Sequence, residues 1–315
     1  MRRTTGRKNK MIDYIKAFAE NDRRKFPHNM VNVTAGMGGD GVLVFGSEKT
    51  ALMDCGMAYC GDKFVSNIKK ALAEKGRKSV DYIFLSHSHY DHVGALPYVL
   101  DRWPQAKVCA SEKTKYIFSR EGAIKLMKEL GEAARDEYTD SKAEIRTDGL
   151  RVDIVLADND TIKLGKETVR ALETKGHTDC SMSYAVEPQK VLFTSESTGV
   201  VVPQKAYVSS EILKSMADSL AACDKCEAYA PEIIICPHYG VVPKVFNKEY
   251  FKSMKADAER KKALVKEFAD RGMNEEEILE AYRDKLYEPG EQPLSAFLEN
   301  AANVIRVMLK EINKD

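Results

Sequence analysis

Residues 86–92 constrain this chain more than any other stretch, because four potential metal ligands fall within six consecutive positions. The four are His87, His89, Asp91 and His92. The segment directly follows residues 80–85, whose β-branched and aromatic side chains predict a buried strand. In α/β proteins, sites are usually built on the loops that leave the carboxyl ends of strands. We therefore expect residues 86–92 to form part of a site at such an end.

The spacing within this segment favours convergence of the side chains. Side chains alternate along an extended chain, so His87 and His89 point to the same side and can bind one metal ion. Asp91 has the same parity as His87 and His89. His92 faces the other side of the extended chain, so a turn must bring it toward the others, and it is therefore suited to a second metal ion nearby. Imidazole favours zinc, iron, copper or nickel, and an added carboxylate suits zinc, iron or manganese.

Two further histidines follow predicted strands. His177 comes just after a strand that ends near Thr174, and His238 comes just after the apolar run 233–235. Either one alone would be read as an ordinary core or surface histidine, but beside the first cluster both are predicted ligands. The remaining histidine, His28, has no such context and is predicted to be a surface residue.

Composition and charge limit the partners of the chain. The 315 residues are 43% hydrophobic and 31% charged with a net charge of +1, as in ordinary globular proteins, so binding to nucleic acid or to anionic membrane is not predicted. The basic first ten residues lack a following apolar region, and no apolar run is long enough to span a bilayer. An odd number of cysteines, seven, favours reduced thiols in a cytoplasmic protein.

One cysteine pair has the spacing of a functional motif. Cys223 and Cys226 form a Cys-x-x-Cys, which occurs in redox pairs and in halves of zinc sites. The sequence contains no second pair to complete a zinc site, and the motif falls at the end of a predicted helix. We favour packing cysteines, with the role of the pair left open.

Periodicity divides the chain into three parts. Residues 1–29 are predicted to be a basic tail and an amphipathic helix over 11–25, and residues 30–245 alternate strands with helices. The glycine-rich stretch 36–41 predicts a hairpin turn rather than a phosphate loop, because it lacks the Lys-Ser/Thr pair and a strand follows it. Residues 246–315 are helical, and the apolar stripe of the last helix is predicted to serve core packing or a dimer contact.

Four motifs resemble those of the metallo-β-lactamase superfamily. Residues 87–92 match its His-x-His-x-Asp-His signature, 52–56 look like its early aspartate element, 176–178 resemble its Gly-His-Thr, and 237–240 are similar to its final histidine motif. The resemblance covers roughly residues 30–245. It implies an α/β fold, a four-layer αββα sandwich, here with an N-terminal helix and a C-terminal helical extension packed on the catalytic domain or used in dimerisation.

The resemblance also implies a ligand set. By position, the first metal would be held by His87, His89 and His177, and the second by Asp91, His92 and His238. The family usually places a bridging aspartate after the strand that follows the third histidine, and here Glu196 stands in that place. Asp54 would hydrogen-bond a ligand histidine. Asp91 and Glu196 are the residues to which a catalytic role is assigned.

The implied activity is that of a dinuclear metallo-hydrolase. Such an enzyme uses a metal-bridged hydroxide on a small ester, lactone, thioester or phosphoester, with two zinc ions expected and iron or manganese as alternatives. Two other functions stay open. One is an iron-dependent oxidoreductase, although flavodiiron relatives carry Glu where His89 stands; the other is a nuclease, which the near-neutral charge disfavours. We expect a small-molecule substrate, no membrane partner and a homodimer through the C-terminal helices; the fold itself does not fix the substrate.

Overall fold

The structure, a computed structural model, describes residues 13–288 and 293–314. Its α-helices are α1 (Tyr14–Ala19), α2 (Gly61–Glu74), α3 (Tyr90–Val93), α4 (Leu96–Arg102), α5 (Glu112–Phe118), α6 (Glu121–Tyr138), α7 (Met216–Ala228), α8 (Asn247–Asp270), α9 (Glu275–Leu286) and α10 (Leu294–Ile312). Its strands are β1 (Met30–Asn32), β2 (Val42–Phe45), β3 (Thr50–Met53), β4 (Tyr82–Phe84), β5 (Lys107–Ala110), β6 (Ile154–Val155), β7 (Thr161–Lys163), β8 (Thr168–Glu173), β9 (Met182–Glu187), β10 (Val191–Phe193), β11 (Val200–Val202), β12 (Tyr207–Ser209), β13 (Ile233–Cys236) and β14 (Gly240–Val241).

The strands form two large sheets and one small ribbon. The first sheet has the order β1-β2-β3-β4-β5-β6, the second has the order β14-β13-β10-β9-β8-β7, and β11 pairs with β12. In the first sheet β3, β4, β5 and β6 are parallel, and in the second β10 and β13 are parallel. β1 and β2 are antiparallel on either side of the glycine-rich stretch, which confirms the predicted hairpin.

Both faces of the sheets are buried along strands such as β2, β3 and β10, which explains why these strands are apolar at successive positions rather than alternately polar. Along β2, Val42 and Val44 contribute to one cluster of buried side chains and Leu43 and Phe45 to another. The first cluster fills the space between the two sheets and includes Tyr184 of the second sheet. Each fully buried aliphatic or aromatic side chain here contributes about 1.5–3 kcal/mol of burial free energy.

Helices cover the outer faces of both sheets and complete the four layers. On the first sheet, α2 contributes Phe64, Ile68 and Leu72 to a core shared with α4 and α6. On the second sheet, α7 packs together with the C-terminal helices α8, α9 and α10. The predicted αββα sandwich is confirmed.

The C-terminal helices share one core with the second sheet. Residues of α8, α9 and α10 belong to the same buried cluster as Leu192 of β10 and Ile234 of β13. The apolar stripe of α10 lies mainly in this core, and Leu294 at its start is exposed. The predicted boundaries at 29/30 and 245/246, and the predicted homodimer, stay predictions.

The N-terminal helix is shorter than the periodicity predicts. α1 ends at Ala19 because the residues after it bond to a distant segment: the Asn21 amide donates to the Val241 carbonyl at 2.7 Å, and the Arg23 carbonyl accepts from the Val241 N–H at 3.0 Å. Tertiary hydrogen bonds thus replace the next helical turn. The predicted basic tail at 1–10 and the first helical positions, 11–12, lie outside the described residues.

Local sequence features separate the helices α8 and α9. Gly272 has a φ of +80° and separates α8 from α9, and Asn274 forms a capping box with Glu277 at the start of α9. Across residues 13–288 and 293–314, no helix combines the length and the apolarity needed to cross a bilayer.

A buried carboxylate on α8 makes stability depend on pH. Asp257 is surrounded by charged and polar groups of several segments: Lys261 and Arg260 of α8, Ser210 and Glu211 after β12, Tyr207 of β12 and Tyr282 of α9. Burial opposes its ionised form, but Lys261, the Ser210 N–H and Arg260 together lower the pKa of Asp257 below its ordinary value.

A carboxyl with a lowered folded-state pKa stabilises the protein above its unfolded pKa of about 3.9, and that stability is lost as the pH falls through the folded value. We expect native protein to exceed Asp257→Asn in free energy of unfolding at neutral pH, and the difference to shrink below pH ~4. Urea unfolding of both proteins across this pH range measures it. A difference that stays constant with pH would contradict the assignment.

Candidate metal centre

The seven side chains predicted as ligands meet at one rim of the sandwich, where strands of both sheets end. His87 follows β4, His177 follows β8, Glu196 follows β10 and His238 follows β13. Because β4 belongs to the first sheet and the other three to the second, the rim joins the two sheets. The side chains form two groups, and within each group the ligand atoms lie within 4.8 Å of one another; the groups are His87, His89, His177 and Asp91, His92, Glu196, His238.

The first group consists of three buried or half-buried imidazoles. His177 Nε2 lies 3.1 Å from His89 Nδ1. His87 is fully buried, and its Nε2 has no hydrogen-bond partner within the described residues. An unpartnered buried nitrogen costs free energy, so it indicates a missing partner. A cation at the centre of this group would satisfy the His87 nitrogen.

A single helical turn brings together two members of the second group. The short helix α3 begins directly after His89 and carries Asp91 and His92 to the same side, which is the turn that His92 needed. Asp91 Oδ2 lies 3.5 Å from His92 Nε2 and 3.4 Å from His238 Nε2. Asp91 therefore faces His92 and His238, although parity on an extended chain would have placed it with His87 and His89.

Glu196 lies between the two groups. Its Oε1 is 2.7 Å from His92 Nε2 and 3.0 Å from His238 Nε2, while its Oε2 is 3.2 Å from His177 Nε2. Oε1 is thus nearest to the second group and Oε2 to the first. The residue starts the 3-10 turn Glu196–Thr198, which follows β10 after two intervening residues.

The electrostatics of the two groups differ. Burial and the neighbouring imidazoles lower the pKa of His87 well below its ordinary value and that of His89 to about 4, so both rings are neutral and offer a lone pair. Burial opposes the charged form of His92, but Asp91 and Asp54 raise its pKa well above the ordinary value. Burial likewise opposes ionisation of Glu196, yet His177 and His238 hold its pKa well below the usual range.

Hydrogen bonds fix the ring nitrogens that face away from the centre. Asp54 Oδ2 is 2.8 Å from His92 Nδ1 and accepts from the Ser86 hydroxyl at 2.7 Å, and Ser86 Oγ is 3.0 Å from His87 Nδ1. His177 Nδ1 donates to the Glu211 carbonyl at 2.7 Å. With Nδ1 as the donor in each ring, Nε2 of His87, His92 and His177 is left for a metal.

Asp54→Asn is expected to weaken metal binding without unfolding the protein. The amide keeps the size of the carboxylate but removes the negative charge that holds His92 Nδ1–H and the Ser86 hydroxyl. Loss of such an outer partner typically costs about 10–100-fold in metal affinity. Titration of the metal-free variant with Zn²⁺ against a chromophoric chelator measures the change, and an unaltered affinity would remove Asp54 from the site.

Two residues contribute to the site without having been predicted from the sequence. Gly39, in the β1–β2 hairpin, donates its N–H to the Asp91 carbonyl at 3.1 Å, and a Cβ there would lie 2.6 Å from the His92 ring. The glycine-rich composition was the available signal for this close approach. Glu211 contributes only its main-chain carbonyl, for which no side-chain pattern gives a signal.

Four other residues belong to neither group. His28 is exposed, as predicted. Cys223 and Cys226 are free thiols buried in the core under the second sheet. Tyr239 is buried, and its hydroxyl accepts from the Asn21 amide.

Fold and site together define the class of protein. The chain belongs to the metallo-β-lactamase superfamily, whose family model matches residues 36–238. A similar relative is the metallo-β-lactamase fold-containing protein ST1585 of Sulfurisphaera tokodaii, 28% identical over 62% of this chain and 76% of its own length. Glyoxylase B2 of Dictyostelium discoideum is 26% identical over 46% of this chain and 47% of its own length.

A solved structure supports the same fold. The β-lactamase domain protein of Burkholderia ambifaria superposes with a TM-score of 0.62 over 91% of this chain and 88% of that chain, at 14% identity. The chain thus spans about three quarters of the first relative and less than half of the second. Superfamily membership leaves the reaction open, because one fold hosts many chemistries.

Proposed function

We propose that this protein is a metal-dependent hydrolase of a small ester, lactone, thioester or phosphoester. The observation that carries the proposal is the position of Glu196, with one carboxylate oxygen facing each of two ligand groups. His87, His89 and His177 would hold one divalent ion, and Asp91, His92 and His238 the other. Zinc suits this mixture of imidazole and carboxylate, with iron and manganese as the alternatives.

The donor set fits divalent cations on chemical grounds. Five imidazoles and two carboxylates converge, and the buried His87 Nε2 has no protein partner among the described residues. When bound, two divalent ions supply Lewis acidity and lower the pKa of water toward neutrality.

The residues of the chain then have separate tasks. Glu196 stays ionised, because the surrounding histidines lower its pKa, and its charge would offset part of the charge of the two ions. Asp91 uses Oδ2 toward the second group, which leaves Oδ1 to orient a water molecule or to carry a proton to the leaving group. The Gly39 N–H fixes the main chain at Asp91.

A substrate panel tests the proposal. Protein loaded with zinc, iron or manganese is assayed on short-chain esters, lactones, thioesters and phosphoesters, with His87→Ala protein prepared in parallel to detect contaminating hydrolases. We expect metal-dependent turnover of at least one class, lost on chelation and absent from the variant. Loaded protein that hydrolyses none of them but consumes oxygen with a reductant would favour the iron oxidoreductase, and cleavage of RNA alone would favour the nuclease.

A further inference from the structure

We propose that Asp257 and Lys261 of the C-terminal helix α8 are positioning residues for His177, acting through the main chain of residues 209–211. This inference rests on the proposed metal site, because it concerns how one of its ligands is oriented. It gives the C-terminal helices a part in the site, beyond covering the second sheet.

The first step is the contact that orients the His177 ring. His177 is 2% exposed, and its Nδ1 donates to the Glu211 carbonyl at 2.7 Å. Its main-chain N–H donates to Ser197 Oγ at 3.0 Å, a bond that holds the backbone but does not itself orient the ring. The direction of His177 Nε2 therefore depends on where the Glu211 carbonyl lies.

The second step is the attachment of that carbonyl to α8. Both main-chain groups of the preceding residue, Ser210, bond to α8: its N–H donates to Asp257 Oδ2 at 2.8 Å, and its carbonyl accepts from Lys261 Nζ at 2.5 Å. The Ser210 hydroxyl also donates to Asp257 Oδ2, at 2.9 Å. With the N–H and the carbonyl both held, little freedom remains for the peptide that leads into Glu211.

The buried charges of Asp257 and Lys261 are paired with neighbouring groups. Asp257 and Lys261 are 4% and 5% exposed, and burying charged groups is costly unless each is paired and hydrogen-bonded. Lys261 Nζ lies 3.4 Å from Asp257 Oδ2 and 3.5 Å from Glu211 Oε1. Arg260 donates to the other oxygen of Asp257. The pairing is thus complete, and its main-chain partners lie in the segment that meets His177.

A helix that only docks onto the sheet does not need these groups. The apolar side chains of α8, among them Phe251, Met254 and Val265, already lie in the shared core. If Asp257 and Lys261 served docking alone, removing them would lower stability and leave the metal affinity of the folded protein unchanged. Positioning predicts a loss of metal affinity in protein that is still folded.

The test compares Lys261→Met with Lys266→Met in full-length, metal-free protein titrated with Zn²⁺ alone against a chromophoric chelator. Lys266 lies on the same helix in an exposed pair with Asp270 and is the matched control. We expect Lys261→Met to lose about 10-fold in affinity for one of the two ions, the low end for an outer partner, and Lys266→Met to bind as the native protein does. The visible spectrum of Co²⁺-loaded protein should change in the first variant only.

Asp257→Asn tests the positioning role if Lys261→Met does not fold. The amide keeps an acceptor for Ser210 but removes the charge opposite Lys261. This variant should show a smaller loss in the same direction. Wild-type affinity and an unchanged Co²⁺ spectrum in a folded variant would overturn the positioning role and leave the proposed function standing. Native protein that takes up no metal would overturn both.

Discussion

His87→Ala should abolish binding of one metal ion and with it nearly all hydrolytic activity. His87 is the most deeply buried member of the first group, and its Nε2 is the atom left without a partner. Losing an outer-shell partner already costs about 10–100-fold, so removing a ligand that contacts the ion directly should cost more than 100-fold in affinity and in kcat/KM. Metal titration and steady-state kinetics on the best substrate of the panel measure both effects.

His28→Ala is the matched control for this variant. His28 is exposed and belongs to neither ligand group, and its main-chain carbonyl accepts from Lys75 Nζ. The control should bind metal and turn over substrate as the native protein does. A folded His87→Ala protein with native metal content and native kcat/KM would contradict the ligand assignment.

Substitutions at Glu196 should separate its charge from its length. Glu196→Gln keeps the size of the side chain but removes the charge that lies between the two groups, and we expect it to lose one ion and more than ~100-fold in kcat/KM. Glu196→Asp keeps the charge but is shorter by one methylene. Because Oε1 faces His92 and His238 while Oε2 faces His177, the shorter side chain should reach only one group.

Metal content and steady-state kinetics of the two variants together show how much the charge and the length of Glu196 contribute. The expected order of activity is native, then Glu196→Asp, then Glu196→Gln, with fewer than two ions in both variants. Glu232→Asp is the control, since Glu232 is an exposed residue paired with Lys244. Native stoichiometry and native rates in Glu196→Asp would show that the loop after β10 does not require the longer side chain.

The residues predicted as ligands could be expected to lie together because the segments that carry them follow apolar strands. His87, His177 and His238 could be placed at strand ends from hydrophobic pattern alone, and parallel strands bring such ends to one edge. The pattern did not show that a helical turn, α3, would group Asp91 with His92 and not with His89. That grouping depends on helix geometry that begins one residue after a histidine in extended conformation.

Contacts made by the main chain could not be predicted from the sequence. The Glu211 carbonyl orients His177, and the Gly39 N–H bonds to Asp91, but neither contact requires a particular functional side chain. The early end of α1 has a similar origin, because Asn21 and Arg23 bond to Val241 more than 200 positions away. Local periodicity carries no information on partners at that distance.

The metal content of the purified protein shows whether the two groups of side chains bind metal ions. Full-length protein is prepared without added metal, dialysed against metal-free buffer and analysed by inductively coupled plasma mass spectrometry beside His87→Ala. We expect about two divalent ions per native chain, zinc above all, and a clear deficit in the variant. Native protein that carries no metal and takes up none from Zn²⁺, Fe²⁺ or Mn²⁺ solutions would contradict it.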